Sequence, residues 1–236
     1  MSGSRMWLCL LGLALAAPVA AQGDGGALYA YRPHAGEKVR FDEGYGRHLE
    51  WHREKRDSLP WYGWDVVAGR RMGEFIDGTF GIAFAALDQR VGPAGDATDA
   101  AATFGSYAQP TGRWLVRLRR DLGTAAPLED RAPAALMQVV TYRVPPTARP
   151  AFEAALQAVR GKEGYAPYAV YECVVGTGEA EYMLVVGHAG YAWFENAKRD
   201  PARALSLELA DRAVPGVTAE SELWQLRQDL TLLPDR

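Results

Sequence analysis

The sequence predicts an α+β fold made of two consecutive βαββαβ units. Two observations predict it: a repeat with a period near 108 residues, and the same alternation of extended and helical segments inside each copy. The repeat is carried by three blocks in the same order. Tyr31-Arg32 recurs as Tyr142-Arg143. Trp61, Trp64, Val67, Gly69 and Glu74-Phe75 recur as Tyr168, Tyr171, Val174, Gly176 and Glu181-Tyr182. Leu118-Arg119-Arg120-Asp121-Leu122 recurs as Leu226-Arg227-Gln228-Asp229-Leu230. The offsets drift by only a few residues, as short loop insertions make them do.

Residues 1–21 stand outside the repeat. Arg5 is the only charge ahead of an apolar run, 7–17, that is too short to span a bilayer, and small residues follow at 18–21. That is the pattern of an export signal cleaved after Ala21. The expected mature chain is therefore periplasmic or secreted, with no membrane segment left. It keeps Cys173 and loses Cys9, so no intrachain disulfide forms in an oxidising compartment. The first module is expected over 22–122, a linker over 123–133 with Gly and two Pro, and the second module over 134–236.

Each module has the same expected elements. An extended segment opens it, at 28–33 and at 135–145, the latter rich in Val, Tyr and Thr. A helix follows: Phe41, Tyr45, His48, Leu49 and His52 share one face in the first copy, and Phe152, Ala155, Leu156 and Val159 recur at helical spacing after Pro150 in the second. Two strands joined by Gly-containing turns come next, at 61–69 with 75–87 and at 168–176 with 181–190. A second helix is expected at 96–107 and 201–213, and closing strands at 113–122 and 222–230. This order is the ferredoxin-like unit, whose open sheet carries helices on one face and needs cover on the other.

Two such units, each covering the other, resemble the dimeric α+β barrel superfamily, here as a tandem fused pseudo-dimer. The resemblance spans nearly all of the mature chain and rests on topology and repetition. It implies a ligand pocket between helices and sheet. It also implies kinship with cofactor-free monooxygenases, isomerases, and haem-degrading or haem-peroxidase relatives.

The copies differ most where function is expected. His48 aligns with Val159, His52 with Glu163, Asp77 with Leu184 and Thr79 with Val186. Polar residues are costly in a buried strand unless paired, so Asp77 and Thr79 mark the first module. His48 and His52, four apart on a helix, are side-chain neighbours. If the Asp77 face of its strand looks toward the first helix, two imidazoles, a carboxylate and a hydroxyl converge; if not, Asp77 looks into the barrel. The candidate catalytic set is thus His48, His52 and Asp77, with Tyr45, Trp64, Thr79 and His34 as candidate ligand-binding residues. Such a set suits Zn²⁺ or Fe²⁺, a haem ligand, or a His–Asp general base; the spacing is not HExxH. Satisfied half-buried imidazoles are the structural alternative. Arg70-Arg71 reads as a solvated turn and Cys173 as a buried strand residue.

The chain has 236 residues, 48% of them hydrophobic, and a formal charge of −3. That near-neutral balance gives no footprint for nucleic acid. The expected function is binding of a small molecule in a helix–sheet pocket of the first module. The alternative is a cofactor-free monooxygenase- or isomerase-like enzyme, or a haem- or metal-dependent one, using His48 and His52 with Asp77. The sequence specifies no single cofactor.

Overall fold

The computed structural model describes residues 22–124, 134–176 and 180–234. The expected export signal at 1–21 and most of the expected linker lie outside the described residues. The elements follow the order β1 (Gln22–Pro33), α1 (Lys38–Glu54), β2 (Tyr62–Ala68), β3 (Phe75–Ile82), α2 (Pro93–Thr103), β4 (Ala108–Leu118), β5 (Leu136–Val144), α3 (Arg149–Arg160), β6 (Tyr168–Val175), β7 (Ala180–His188), α4 (Pro201–Asp211) and β8 (Thr218–Leu226).

The strands close into one antiparallel barrel in the order β1-β3-β2-β8-β5-β7-β6-β4. Within it, β4-β1-β3-β2 and β8-β5-β7-β6 are runs of the same internal order, joined by the pairs β2–β8 and β4–β6. Closure leaves no unpaired strand edge. The fold is that of the ferredoxin-like α+β barrels.

Period-two alternation sorts each strand into an inner and an outer face. The inner faces meet in one core that includes Leu28, Trp64, Ile76, Phe80, Val139, Tyr171, Val185 and Trp224. The outer faces are covered by helices. Over β5–β8, α3 and α4 pack Phe152, Leu156, Val159, Ala204 and Leu205 onto Tyr142, Tyr182 and Leu184. Over β1–β4, α1 packs Phe41, Tyr45 and Leu49 onto Phe75 and Phe104. The second helix differs between halves. α4 buries Pro201, Ala202, Ala204 and Leu205, whereas α2 buries no residue. The sequence of α2, PAGDATDAAAT, offers α1 two carboxylates instead of an apolar stripe. Close approach at its far end depends on Gly44, where an added Cβ would stand 2.3 Å from the Thr103 carbonyl oxygen.

Two arginines at equivalent points tie the halves together. Arg227, just after β8, donates from Nη1 to Asp42 on α1 (3.0 Å) and Asp65 on β2 (2.9 Å), and from Nε to Asp229 (2.9 Å). Arg119, just after β4, donates from Nη1 to Glu153 on α3 (2.8 Å) and Glu172 on β6 (3.1 Å), and from Nε to Asp121 (2.9 Å). Lys38 bridges Asp42 and Asp65 as Arg149 bridges Glu153 and Glu172. Arg119 holds the Glu153 carboxyl down to about 2.

Several expected elements are corrected. The closing strands end at Leu118 and Leu226, about four residues early, because the repeated Leu-Arg-x-Asp-Leu block leaves the sheet to form these clamps. β3 ends at Ile82; Gly81 takes φ +74° and Phe84–Leu87 turns into a 3₁₀ helix. α2 runs over Pro93–Thr103 rather than 96–107, with Pro93 in its first turn. Arg71 is not a solvated turn residue. Its guanidinium is held by Glu222 at 2.6 Å and lies between the rings of Trp114 and Trp224. Cys173 is half-buried rather than buried.

Candidate metal centre

The buried stripe of α1 delivers both histidines to one point. His48 and His52 are 6% and 4% exposed, and their rings meet edge to face with centroids 4.6 Å apart. Each Nδ1 is held by a carboxylate at 2.8 Å: Asp99 of α2 for His48, and Asp57, just past α1, for His52. A carboxylate only accepts, so each Nδ1 carries the proton and each Nε2 is left with a lone pair. The two Nε2 atoms then face one another at 3.2 Å. Asp96 of α2 puts Oδ1 at 3.2 Å from the first and 3.5 Å from the second.

Three lone-pair donors this close repel unless a cation lies among them. In the metal-free protein a proton does this. Burial would lower the His52 pKa, but hydrogen bonds to Asp57 and Asp96 outweigh it and raise the pKa to about 9. Burial opposes the Asp96 charge, yet the two histidines hold its carboxyl well below the usual range. The same spacing suits a metal. With bonds of about 2.0–2.1 Å, neighbouring donors of a tetrahedral site are about 3.3 Å apart, close to the three distances observed. His48, His52 and Asp96 form a group able to hold an ion. Asp57 is itself fixed by Trp61 Nε1 (2.9 Å) and the Leu59 amide (3.0 Å), so the ligands sit in a braced outer shell.

Asp77 faces α1, one of the two orientations left open by the sequence. It does not bond either histidine. Its Oδ2 accepts from Tyr45 Oη at 2.9 Å. Burial pushes its carboxyl up to about 7, against the Tyr45 hydrogen bond and the nearby imidazoles. Asp77 Oδ1 and Thr79 Oγ1, on the same face of β3, are buried without hydrogen-bond partners among the described residues. Trp64 does not join this group. It points into the barrel, against Phe80 and Trp224. His34 is exposed on the loop after β1.

The sequence reading missed Asp57, Asp96 and Asp99. The available signal was Asp96 and Asp99 three apart, one face of a helix otherwise rich in Ala and Thr. Opposite His48, Asp77 and Asp96 (the last at the 108-residue offset that relates Pro93 to Pro201) the second half carries Val159, Leu184 and Ala204 in its apolar core, and opposite His52 it carries the exposed Glu163, so among the described residues the cluster belongs to the first half. Haem, one option implied by the resemblance, does not fit these histidines. Each Nε2, the atom an iron would need, is turned into the cluster 3.2 Å from the other, walled by Phe104 and Trp51 beside His48 and Trp61 beside His52.

No family model and no curated protein sequence matches this chain. Solved structures do. A candidate monooxygenase from Fusobacterium nucleatum superposes with a TM-score of 0.58 at 9% identity, covering 87% of this chain and 93% of that one. A mutant chlorite dismutase from Candidatus Nitrospira defluvii gives 0.57 at 8%, covering 89% and 94%. An anthrone oxidase-like protein gives 0.56 at 13%, covering 90% and 94%. These likenesses establish the barrel fold.

Proposed function

We propose that the protein is a metal-dependent enzyme of the ferredoxin-like α+β barrel group, with a mononuclear site made by His48, His52 and Asp96. The observation that carries this reading is the triangle of donor atoms at 3.2, 3.2 and 3.5 Å. Two imidazoles and one carboxylate with open positions form the donor set of non-haem Fe²⁺ oxygenases, and the oxygenase and oxidase names among the fold neighbours favour redox chemistry over hydrolysis. When bound, such a metal supplies an electron-transfer and substrate-polarising centre. Asp99 and Asp57 hold the ring tautomers that aim Nε2 inward. Asp77, whose carboxyl burial pushes up to about 7 and which is bonded to Tyr45, places a group able to gain or lose a proton near neutral pH beside the cluster. This reading replaces Asp77 with Asp96 as the carboxylate ligand, and it favours an enzyme over a purely binding protein.

The two arginine clamps support a tandem fused pseudo-dimer with modules at 22–122 and 134–236. Arg227 and Arg119 make the same contacts at an offset of 108, and each reaches across to the other half, as an isologous interface requires. The first module was then specialised and the second kept apolar. The signal at 1–21 supports export to the periplasm or beyond, acting on a small molecule.

Metal analysis of purified protein tests the enzyme reading. Wild type is expected to hold close to one equivalent of Fe²⁺ or Zn²⁺ after reconstitution. His48→Ala, His52→Ala and Asp96→Ala are each expected to lose it while keeping the far-UV circular dichroism of the wild type. Equal metal content in all four proteins refutes it.

A further inference from the structure

Beside the metal cluster an open groove of about 760 Å³ runs along the outer face of β4, between that strand and the Phe84–Leu87 turn. Its floor and walls are apolar: Leu115, Phe84 and Leu87. Its charges are not balanced. Arg90, Arg113 and Arg117 line it against one carboxylate, Asp88. Arg113 lies over the ring of Tyr29 at 5.0 Å and Arg117 over that of Phe84 at 5.7 Å. Neither is paired with a carboxylate among the described residues. Two unpaired guanidiniums on one strand face, flanking a leucine and stacked on aromatic rings, are pre-positioned for a planar anion.

The groove communicates with the metal cluster through one side chain. Arg90 lines it, and its Nη1 stands 3.4 Å from Tyr29 Oη and 3.5 Å from Asp96 Oδ2. Asp96 is the carboxylate of the donor triangle. A molecule in the groove thus lies one residue from the metal site.

From this we infer that the substrate is an amphipathic organic anion: an aromatic or aliphatic body against Phe84, Leu87 and Leu115, with its carboxylate held by the guanidinium of Arg113 or of Arg117. This rests on the metal-enzyme reading for the word substrate, but the anion site itself does not. Charge-assisted, bidentate pairing gives the specificity, and the apolar floor gives the remaining affinity.

The test uses 1-naphthoate and its neutral isostere 1-naphthamide as probes on the full-length mature protein, by calorimetry. Naphthoate is expected to bind about tenfold or more tighter than naphthamide. The double variant Arg113→Gln/Arg117→Gln is expected to erase that preference while leaving metal content unchanged. His48→Ala/His52→Ala is expected to lose metal and keep naphthoate affinity, which separates this proposal from the metal reading. Equal binding of the two probes, or full naphthoate affinity in the arginine double variant, overturns the anion site. In Co²⁺-loaded protein the visible absorption is expected to shift when naphthoate is added. An unchanged spectrum with naphthoate bound overturns its assignment as the substrate groove.

Discussion

Replacing Asp99 by Ala probes the metal site without touching a ligand. Asp99 Oδ2 accepts from His48 Nδ1 at 2.8 Å, and its side chain is 22% exposed, so the change leaves no deep cavity. A hydrogen bond to a charged group contributes about 1.5–3 kcal/mol, and partial exposure puts this one near the lower end. The larger effect is on the tautomer. Without Asp99, the His48 proton is free to move to Nε2, which then cannot coordinate. Losing an outer-shell partner of this kind lowers metal affinity about 10–100-fold, or about 1.4–2.8 kcal/mol. Competition for Zn²⁺ against a chromophoric chelator at fixed pH measures it directly. If Asp99→Ala binds within twofold of wild type while His48→Ala does not bind, the tautomer argument is wrong. If wild type itself fails to compete, the metal site is wrong.

Four further outcomes are expected. In metal-free protein the stability contributed by His52, whose pKa is about 9 against an ordinary 6.5, is complete below pH 6.5 and lost as pH climbs through 9. That amounts to about 3 kcal/mol, read from urea unfolding at pH 6 and 10, and His52→Gln should flatten the trend. Asp77 runs the other way: its carboxyl titrates near 7 when folded and at 3.8 when unfolded, so it costs stability as pH rises from about 4 to 7. Asp77→Asn should remove up to about 4 kcal/mol of that loss; an unchanged slope between pH 4.5 and 8 contradicts the assigned burial. Asp57→Asn keeps one acceptor oxygen for His52 Nδ1 and Trp61 Nε1 but sets its N–H₂ against the Leu59 amide N–H and removes the charge that faces His52; it should destabilise the protein by about 2–4 kcal/mol, measured by urea unfolding, and a loss under 1 kcal/mol refutes it. Arg119→Ala leaves Glu153 to Arg149 and Tyr182, and Glu172 to Arg149, and should cost about 2 kcal/mol in the same assay, with wild-type metal affinity.

The architecture was largely readable because it rests on periodicity. The stripe of Phe41, Tyr45, His48, Leu49 and His52 is the buried face of α1, and β2, β6 and β7 fall within two residues of expectation, whereas β3 stops five residues short. The site was half readable. His48 and His52 stood out because a polar residue on an apolar stripe needs a partner. The partners did not, because Asp96 and Asp99 sit on a helix with no apolar face to orient it, and an acid in a first helical turn is ordinary by itself. Pro93 carried the same helix-start signal as Pro201 and was passed over in favour of Asp96, which hid how α2 lies on α1. Asp77 was assigned to the histidines because strand parity gives a face but not a reach. Tyr45, nearer along α1, takes its carboxylate first.

Barrel closure by β2–β8 and β4–β6 has a consequence for the order of events during synthesis. As the chain emerges, β1 to β4 can assemble only a curved open sheet. Its two borders are bare, its concave face of Leu28, Trp64, Ile76 and Phe80 is wet, and Asp42 and Asp65 lack Arg227 until the last strand arrives. The His48, His52 and Asp96 cluster, although every one of its side chains belongs to this early segment, therefore sits on a sheet whose two borders are closed only by β6 and β8.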